Sequence, residues 1–301
     1  MSKIAFIGLG NMGAGMAANL AKAGNEVMAF DISPAAVGRA VSAGCAAAAS
    51  AADAVRASDV VVTMLPAGAH VRAVWSGDVI PNARAAALAI DCSTIDVESA
   101  RFVAEAAASA GLRCADAPVS GGIMAADAGT LAFMVGCADD TFPDVQAALD
   151  PMARVVIHAG AAGAGQAAKI CNNMLLGISM LGVCEAFALA EKLGLDPQRF
   201  FEIAGKSSGQ CWSLTSYCPW PGPVPSAPSN RGYEGGFLTA LMLKDLKLAQ
   251  EAAAKSGAAT PMGAQAEALY ALFDGLGHGQ KDFSAVLQLM RGRLADLADT
   301  H

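Results

Sequence analysis

A chain of 301 residues is long for one hydrophobic core and ample for two domains. Apolar residues make up 54% of it and charged residues only 16%, which excludes a disordered chain. The net charge is −7 and no basic run occurs. Neither a nucleic acid nor an anionic membrane is therefore the expected partner, while a small anionic substrate is compatible with a locally positive site. The eight cysteines form no C-x-x-C pair and the four histidines show no zinc-ligand spacing, so no metal site is expected. Cysteines scattered through apolar stretches read as small core residues in a reducing compartment. The N-terminus, MSKIAFIGLG, leads straight into a strand without a secretory pattern, and a cytoplasmic protein is expected.

In chain order, Lys3–Ile7, Glu26–Phe30, Val60–Leu65, Leu88–Asp91, Leu112–Ala115, Leu131–Val135 and Val155–His158 read as strands. Between the early ones lie Ala-rich helical stretches such as Asn11–Ala23 and Pro34–Ala43. Strands alternating with helices predict a parallel sheet covered on both faces. The later strands crowd together, so the far edge is expected to include antiparallel members. From Gln166 onward no strand is expected. A long helix is predicted over Gln166–Leu193, apolar nearly all round, so that every side needs covering. Part of it, Ile170–Leu189, approaches membrane-spanning length, but Asn172, Asn173 and Glu185 favour a buried helix of a soluble protein. Gly194 then stops the helix and Asp196-Pro197 starts another. Further helices are expected over Pro197–Ala204, Gly236–Ser256, Pro261–Phe273 and Phe283–Asp296. Gly160–Gly165 is the natural joint, giving domains over 1–164 and 165–301. Tyr217–Asn230 holds five prolines and cannot be helix interior; it is a rigid surface loop or a lid.

The segment Gly8-Leu9-Gly10-Asn11-Met12-Gly13 follows a strand and opens a helix, the context that gives the G-x-G-x-x-G pattern meaning. Its first glycine permits the turn, the second lets the backbone approach a pyrophosphate, and the third lets helix and strand pack closely. The next strand ends in Asp31, placed to accept from ribose hydroxyls. A 2′-phosphate about 4 Å from that carboxylate would be repelled by roughly 4 kcal/mol at an effective dielectric near 20. No arginine follows immediately, so NAD is expected over NADP. Leu65-Pro66 and Thr94 also follow strands, where ligands bind in open α/β sheets.

IAFIGLGNMGAGMAANL resembles the N-terminal signature of the β-hydroxyacid dehydrogenase family, and three further blocks occur in the family's order. Asp116–Gly122 resembles its substrate loop, Gly163–Asn173 its catalytic block, and Leu243–Leu246 its C-terminal cofactor block. Ser207–Gly209, Trp212, Pro219–Gly222 and Asp282–Ser284 resemble the 3-hydroxyisobutyrate branch. The resemblance covers essentially the whole chain. It implies a Rossmann-type α/β domain followed by an all-α domain, a homodimer or homotetramer, and cofactor contacts from Leu65, Pro66, Thr94 and Lys244.

From pattern alone, Lys169 is either a base whose pKa burial would lower or a lysine snorkelling from a helix end. The resemblance identifies it as the general acid/base. Asn173, four residues on, shares its helix face and can orient substrate, whereas Asn172 points elsewhere. Ser120-Gly121-Gly122 reads as an ordinary glycine turn, and through the resemblance as the carboxylate anchor. Ile123 and Met124 suit a small branched substrate rather than a phosphorylated sugar. Trp212 and Phe237 are candidates for the apolar wall of the pocket, with a place in the core as the plainer reading. His70, His158 and His278 are assigned no role. The expected reaction is reversible, NAD-dependent oxidation of 3-hydroxyisobutyrate to methylmalonate semialdehyde. Alternatives are action on L-serine, tartronate or succinic semialdehyde or glyoxylate, and, more remotely, a non-catalytic dinucleotide sensor.

Overall fold

Alternate residues of the first strand enter different cores. Ile4 and Phe6 pack with Leu9, Met16, Leu20, Val62 and Ile90 on one face, whereas Ala5 and Ile7 pack with Val61, Trp75, Ala89 and Val103 on the other. A strand buried on both faces has no polar side to show, which is why Ile4–Ile7, after the exposed Lys3, reads as a continuous apolar run. The computed structural model describes residues 2–297. The chain divides into two units, Met1–Lys169 and Ile170–His301.

The first unit is built on a nine-stranded sheet: β1 (Lys3–Ile7), β2 (Glu26–Phe30), β3 (Ala46–Ala47), β4 (Val60–Thr63), β5 (Leu88–Asp91), β6 (Arg113–Asp116), β7 (Val119–Ser120), β8 (Leu131–Gly136) and β9 (Ala153–Gly160). The order β3-β2-β1-β4-β5-β6 is wholly parallel and reverses direction at β1, giving the doubly wound arrangement with its switch point between β1 and β4. The antiparallel members expected at the far edge are present, because β8 runs against both β6 and β7 while β9 runs parallel to β8. Pro118 lies between β6 and β7, and its carbonyl accepts from Met134 of β8.

Strand β4 ends two residues before its expected limit. The Leu65 N–H leaves the ladder and donates to Ser93 Oγ at 2.7 Å. The short β3 and β7, too brief for a periodic signal, had no counterpart in the sequence reading.

In the second unit, the helix Ala164–Lys192 has 29 residues, about 44 Å at 1.5 Å per residue. It begins in the first unit and continues through the second. Among the described residues it is the one helix long and apolar enough to cross a membrane. Met180, Leu181, Cys184 and Phe187 lie in the second unit's core with Met242, Leu246, Tyr270 and Phe273. Cover on every side is not supplied by the described residues, since Leu175 and Leu189 are exposed. Gly194 ends the helix in a left-handed conformation, and Asp196 caps Pro197–Ala204 by accepting from Arg199 N.

Two expected helices change. The helix expected from Gly236 starts at Thr239, because the Phe237 N–H is taken by Asp282 Oδ2 and Leu238 pairs as a bridge with Asp282. The helix expected over Phe283–Asp296 is three short pieces, Phe283–Ala285, Val286–Arg291 and Leu294–Leu297, broken where Gly292 turns left-handed at φ +66°.

The Pro-rich segment is fastened rather than free. Tyr233 Oη donates to Pro219 O and Ser229 Oγ to Cys218 O, while Asn230 accepts from Gly222 N and donates to Val224 O. Trp220 stacks on Phe187 and lies under the Arg291 guanidinium, which pairs with Glu191. These ties favour the rigid loop over the lid. Of the cysteines expected in the core, Cys171 is exposed because it sits on an outward face of the long helix.

Candidate active site

The carboxyl ends of the parallel strands lie side by side, so the segments that follow them share one edge of the sheet. After β1 comes the glycine turn. Gly8 has φ +98°, and a Cβ there would meet Met64 O at 2.2 Å; a Cβ on Gly13 would meet Gly8 O at 2.0 Å. Around Gly10 a Cβ would meet nothing within 4 Å. Two glycines are thus required by the fold and the middle one leaves the backbone open, which is the cradle a pyrophosphate needs. Asp31, after β2, accepts from Leu9 N at 2.6 Å and Ser33 N at 2.8 Å. The acid is tied to the glycine turn itself, so the residues present suit a dinucleotide.

Behind the next two loops lies a buried polar relay. Trp75 Nε1 donates to Thr63 Oγ1, and both Thr63 and Ser93 donate to Asp91 Oδ1, at 2.7 and 2.6 Å. Ser93 Oγ accepts from Leu65 N in turn, so one hydroxyl links the loop holding Leu65-Pro66 to the loop holding Thr94. Burial pushes Asp91 up from 3.8 to about 6, against the lowering effect of the Ser93 and Thr63 hydrogen bonds. Between about pH 4 and 6 the folded chain keeps a proton that the unfolded chain has released, so this group's contribution to stability falls as pH rises through that window. About two pKa units amount to roughly 3 kcal/mol. The stability of Asp91→Asn relative to the parent should therefore improve by about that much between pH 4 and pH 7. Urea unfolding at both pH values checks this, and a pH-independent difference would remove Asp91 as the source.

The predicted carboxylate anchor turns sharply. Ser120 ends β7, Gly121 and Gly122 take φ +137° and +70°, and a Cβ on Gly121 would meet Ala125 Cβ at 2.5 Å. The helix that follows, Gly122–Ala128, is bolted to the dinucleotide helix Gly13–Lys22, since Asn19 Nδ2 donates to Ala126 O at 2.7 Å. Asp116, at the head of the same block, has its oxygens on Gly163 N (2.6 Å) and Gln166 N (2.8 Å). It satisfies backbone donors at the start of the long helix. Burial raises its pKa, opposed by those backbone bonds.

Lys169 is 6% exposed, and Asn173, one turn further along the same helix, is 2% exposed. Asn173 Nδ2 donates to Asp245 Oδ2 at 2.5 Å, and its Oδ1 accepts from Asn172, which is exposed. Lys244 Nζ lies 3.9 Å from Asp245 Oδ1. The hydrogen-bonding residues Asp245, Asp116, Gln166 and Asn19 were not singled out in the sequence, although each falls inside a quoted block. An acid such as Asp245, flanked by Met242, Leu243 and Leu246 on a core-facing helix, was the one available signal. Trp212 is not core. It is 52% exposed because one face lies on Tyr217, 4.9 Å between centroids, leaving the other uncovered. Phe237 packs edge-on against Phe283.

A dinucleotide cradle on a doubly wound sheet, followed by a helical unit, is the architecture that nicotinamide-dependent dehydrogenases use. Residues 3–160 match the family model of the NAD binding domain of 6-phosphogluconate dehydrogenase, and residues 163–290 that of the NAD-binding of NADP-dependent 3-hydroxyisobutyrate dehydrogenase. The chain is 51% identical to a 3-hydroxyisobutyrate dehydrogenase of Pseudomonas aeruginosa, covering 97% of this chain and 100% of the relative. It is 48% identical to the NAD-dependent L-serine dehydrogenase of the same organism, covering 96% and 98%. A solved structure of Mycobacterium tuberculosis 3-hydroxyisobutyrate dehydrogenase with L-serine superimposes with a TM-score of 0.94 at 50% identity, covering 97% and 99%. The chain belongs to the 3-hydroxyisobutyrate dehydrogenase family of the β-hydroxyacid dehydrogenases. It is an NAD-dependent oxidoreductase acting on the hydroxyl of a small hydroxyacid.

Proposed function

We propose that the substrate is 3-hydroxyisobutyrate, oxidised reversibly to methylmalonate semialdehyde, with valine breakdown as the setting. NAD, when bound, supplies the acceptor for the hydride leaving C3. Lys169 takes the hydroxyl proton during oxidation and returns it during reduction. Asn173, fixed by Asp245, orients the substrate, and Ser120-Gly121-Gly122 anchors its carboxylate. Ile123 and Met124, both exposed at the edge of that turn, and Trp212 offer apolar surface to a branched substrate. Gly8–Gly13, Asp31, Leu65, Pro66, Thr94 and Lys244 hold the cofactor.

The observation that carries this reading is the burial of Lys169 one turn from Asn173. A lysine at a solvated helix end would keep its ammonium in water, and this one does not.

Residues 1–164 form the NAD-binding domain and 165–301 the substrate and oligomerisation domain of a cytoplasmic homodimer or homotetramer. The exposed Leu175 and Leu189 of the long helix support a subunit contact. No nucleic acid or membrane partner is assigned.

L-serine is the second reading, favoured by the 48% identity to an L-serine dehydrogenase. NADH formation at 340 nm with both 3-hydroxyisobutyrate enantiomers, L-serine, D-glycerate and 4-hydroxybutyrate separates the two. 3-Hydroxyisobutyrate is expected to lead in kcat/KM by about tenfold or more, equivalent to about 1.4 kcal/mol of transition-state discrimination. A lead for L-serine reassigns the pocket and leaves Lys169 in place. NAD should exceed NADP by about 10²–10³ in kcat/KM through the Asp31 charge. Equal use of both would remove Asp31 from cofactor choice.

A further inference from the structure

The side chain of Gln166 is fully buried one turn before Lys169 on the same helix. Its Nε2 donates to Ser93 O at 2.7 Å and its Oε1 accepts from Ile95 N at 3.0 Å. One carboxamide therefore bridges the backbone on either side of Thr94, as a neighbouring strand would. Its own backbone N–H is held by Asp116 Oδ2 at 2.8 Å, at the head of the predicted substrate loop. Three segments of the first unit meet at this residue: the loop after β5, the strand end that leads to Ser120, and the helix turn that carries Lys169.

We propose that Gln166 is a positioning residue that sets the distance between the Thr94 loop and Lys169, and so the geometry in which hydride and proton leave the substrate. The proposal rests on Lys169 being the acid/base. Gln166 touches neither the reacting atoms nor the cofactor in this role. It acts through two backbone groups, which no shorter or purely apolar side chain serves together. Asparagine lacks one methylene of reach. Methionine matches the length and offers neither a donor nor an equivalent acceptor, leaving Ser93 O and Ile95 N buried and unpaired. Glutamate keeps the shape and the acceptor for Ile95 N, but when ionised it sets a carboxylate oxygen against Ser93 O. When protonated it regains a donor, and burial favours that neutral form.

The test is the pH profile of kcat for Gln166→Glu and Gln166→Met in the intact enzyme, with 3-hydroxyisobutyrate and NAD. NADH affinity is followed by fluorescence, and the primary deuterium isotope effect is measured with substrate deuterated at C3. A loop displaced by about 1 Å costs on the order of 10²-fold in turnover. Gln166→Met is expected to lose about 30- to 100-fold in kcat at every pH, with KM and NADH affinity changed by less than about threefold and a raised isotope effect. Gln166→Glu is expected to lose a similar factor at high pH and to recover toward the parent as pH falls and the carboxyl protonates. A purely structural role predicts lower Tm with unchanged kcat per NADH-binding site, and that result overturns the proposal. Parallel pH profiles for Gln166→Glu and the parent, with Gln166→Met within twofold of the parent, also overturn it. Should Gln166→Met not fold, the pH recovery of Gln166→Glu decides alone: its presence supports the tie and its absence refutes it. Lys169→Ala, assayed alongside, reports separately on the acid/base reading, since its near-normal turnover would remove Lys169 whatever Gln166 does.

Discussion

Lys169→Ala is expected to lose about 10²–10⁴ in turnover while still binding NADH. The lysine is 6% exposed near the start of a helix that runs on through Asn173, and the cofactor cradle lies on separate segments from Gly8 to Asp31. Removing the amine is therefore expected to take away the proposed proton transfer without disturbing the glycine turn. Single-turnover kinetics, with NADH affinity by fluorescence, separate the two effects. A variant that turned over at near the parent rate would exclude Lys169 as the acid/base. A variant that lost NADH affinity in proportion to turnover would make it a cofactor residue instead. An alanine at 169 leaves a void as well as a missing charge, so Lys169→Met is the matching control. It should be equally slow and closer to the parent in stability.

Gly8→Ala is expected to cost about 3 kcal/mol or more of stability and to abolish measurable NAD binding. The backbone at Gly8 has φ +98°, where an L side chain is strained, and the added Cβ would stand 2.2 Å from Met64 O. That carbonyl cannot easily retreat, because the Met64 N–H is bonded to Ile7 O at 2.9 Å as an extension of the β1–β4 ladder. Something in the central strands must shift to admit one methyl group. Gly10→Ala offers the contrast. Its Cβ would meet no protein atom within 4 Å, so the variant should fold with parent stability and lose cofactor affinity alone. Urea unfolding and NADH titration of both variants read the difference. If Gly8→Ala unfolded within about 0.5 kcal/mol of the parent, the turn would not be the rigid element described here.

The sequence by itself determined the limits of several elements and, through the resemblance of its motif blocks, the family. β1, β2 and β5 and the helix Pro261–Phe273 keep their expected limits, because periodicity, glycine stops and proline starts are local physics. The glycine cradle was equally legible, since the positive φ of Gly8 and the close approach of Gly8 O to Gly13 restrict the residue type at those very positions. What the tertiary structure alone decided is which side chains fasten these parts to one another. Asn173 finds Asp245 across 72 residues of sequence, Gln166 finds Ile95 and Ser93 across 71 and 73, and Asp116 finds Gly163 across 47. Asp282 likewise finds Tyr217 across 65 residues and Phe237 across 45. A buried polar side chain must find a partner, and the sequence shows that need as an acid or amide amid apolar residues. The chain's path through space selects the partner, because it alone sets which donors and acceptors come within 3 Å.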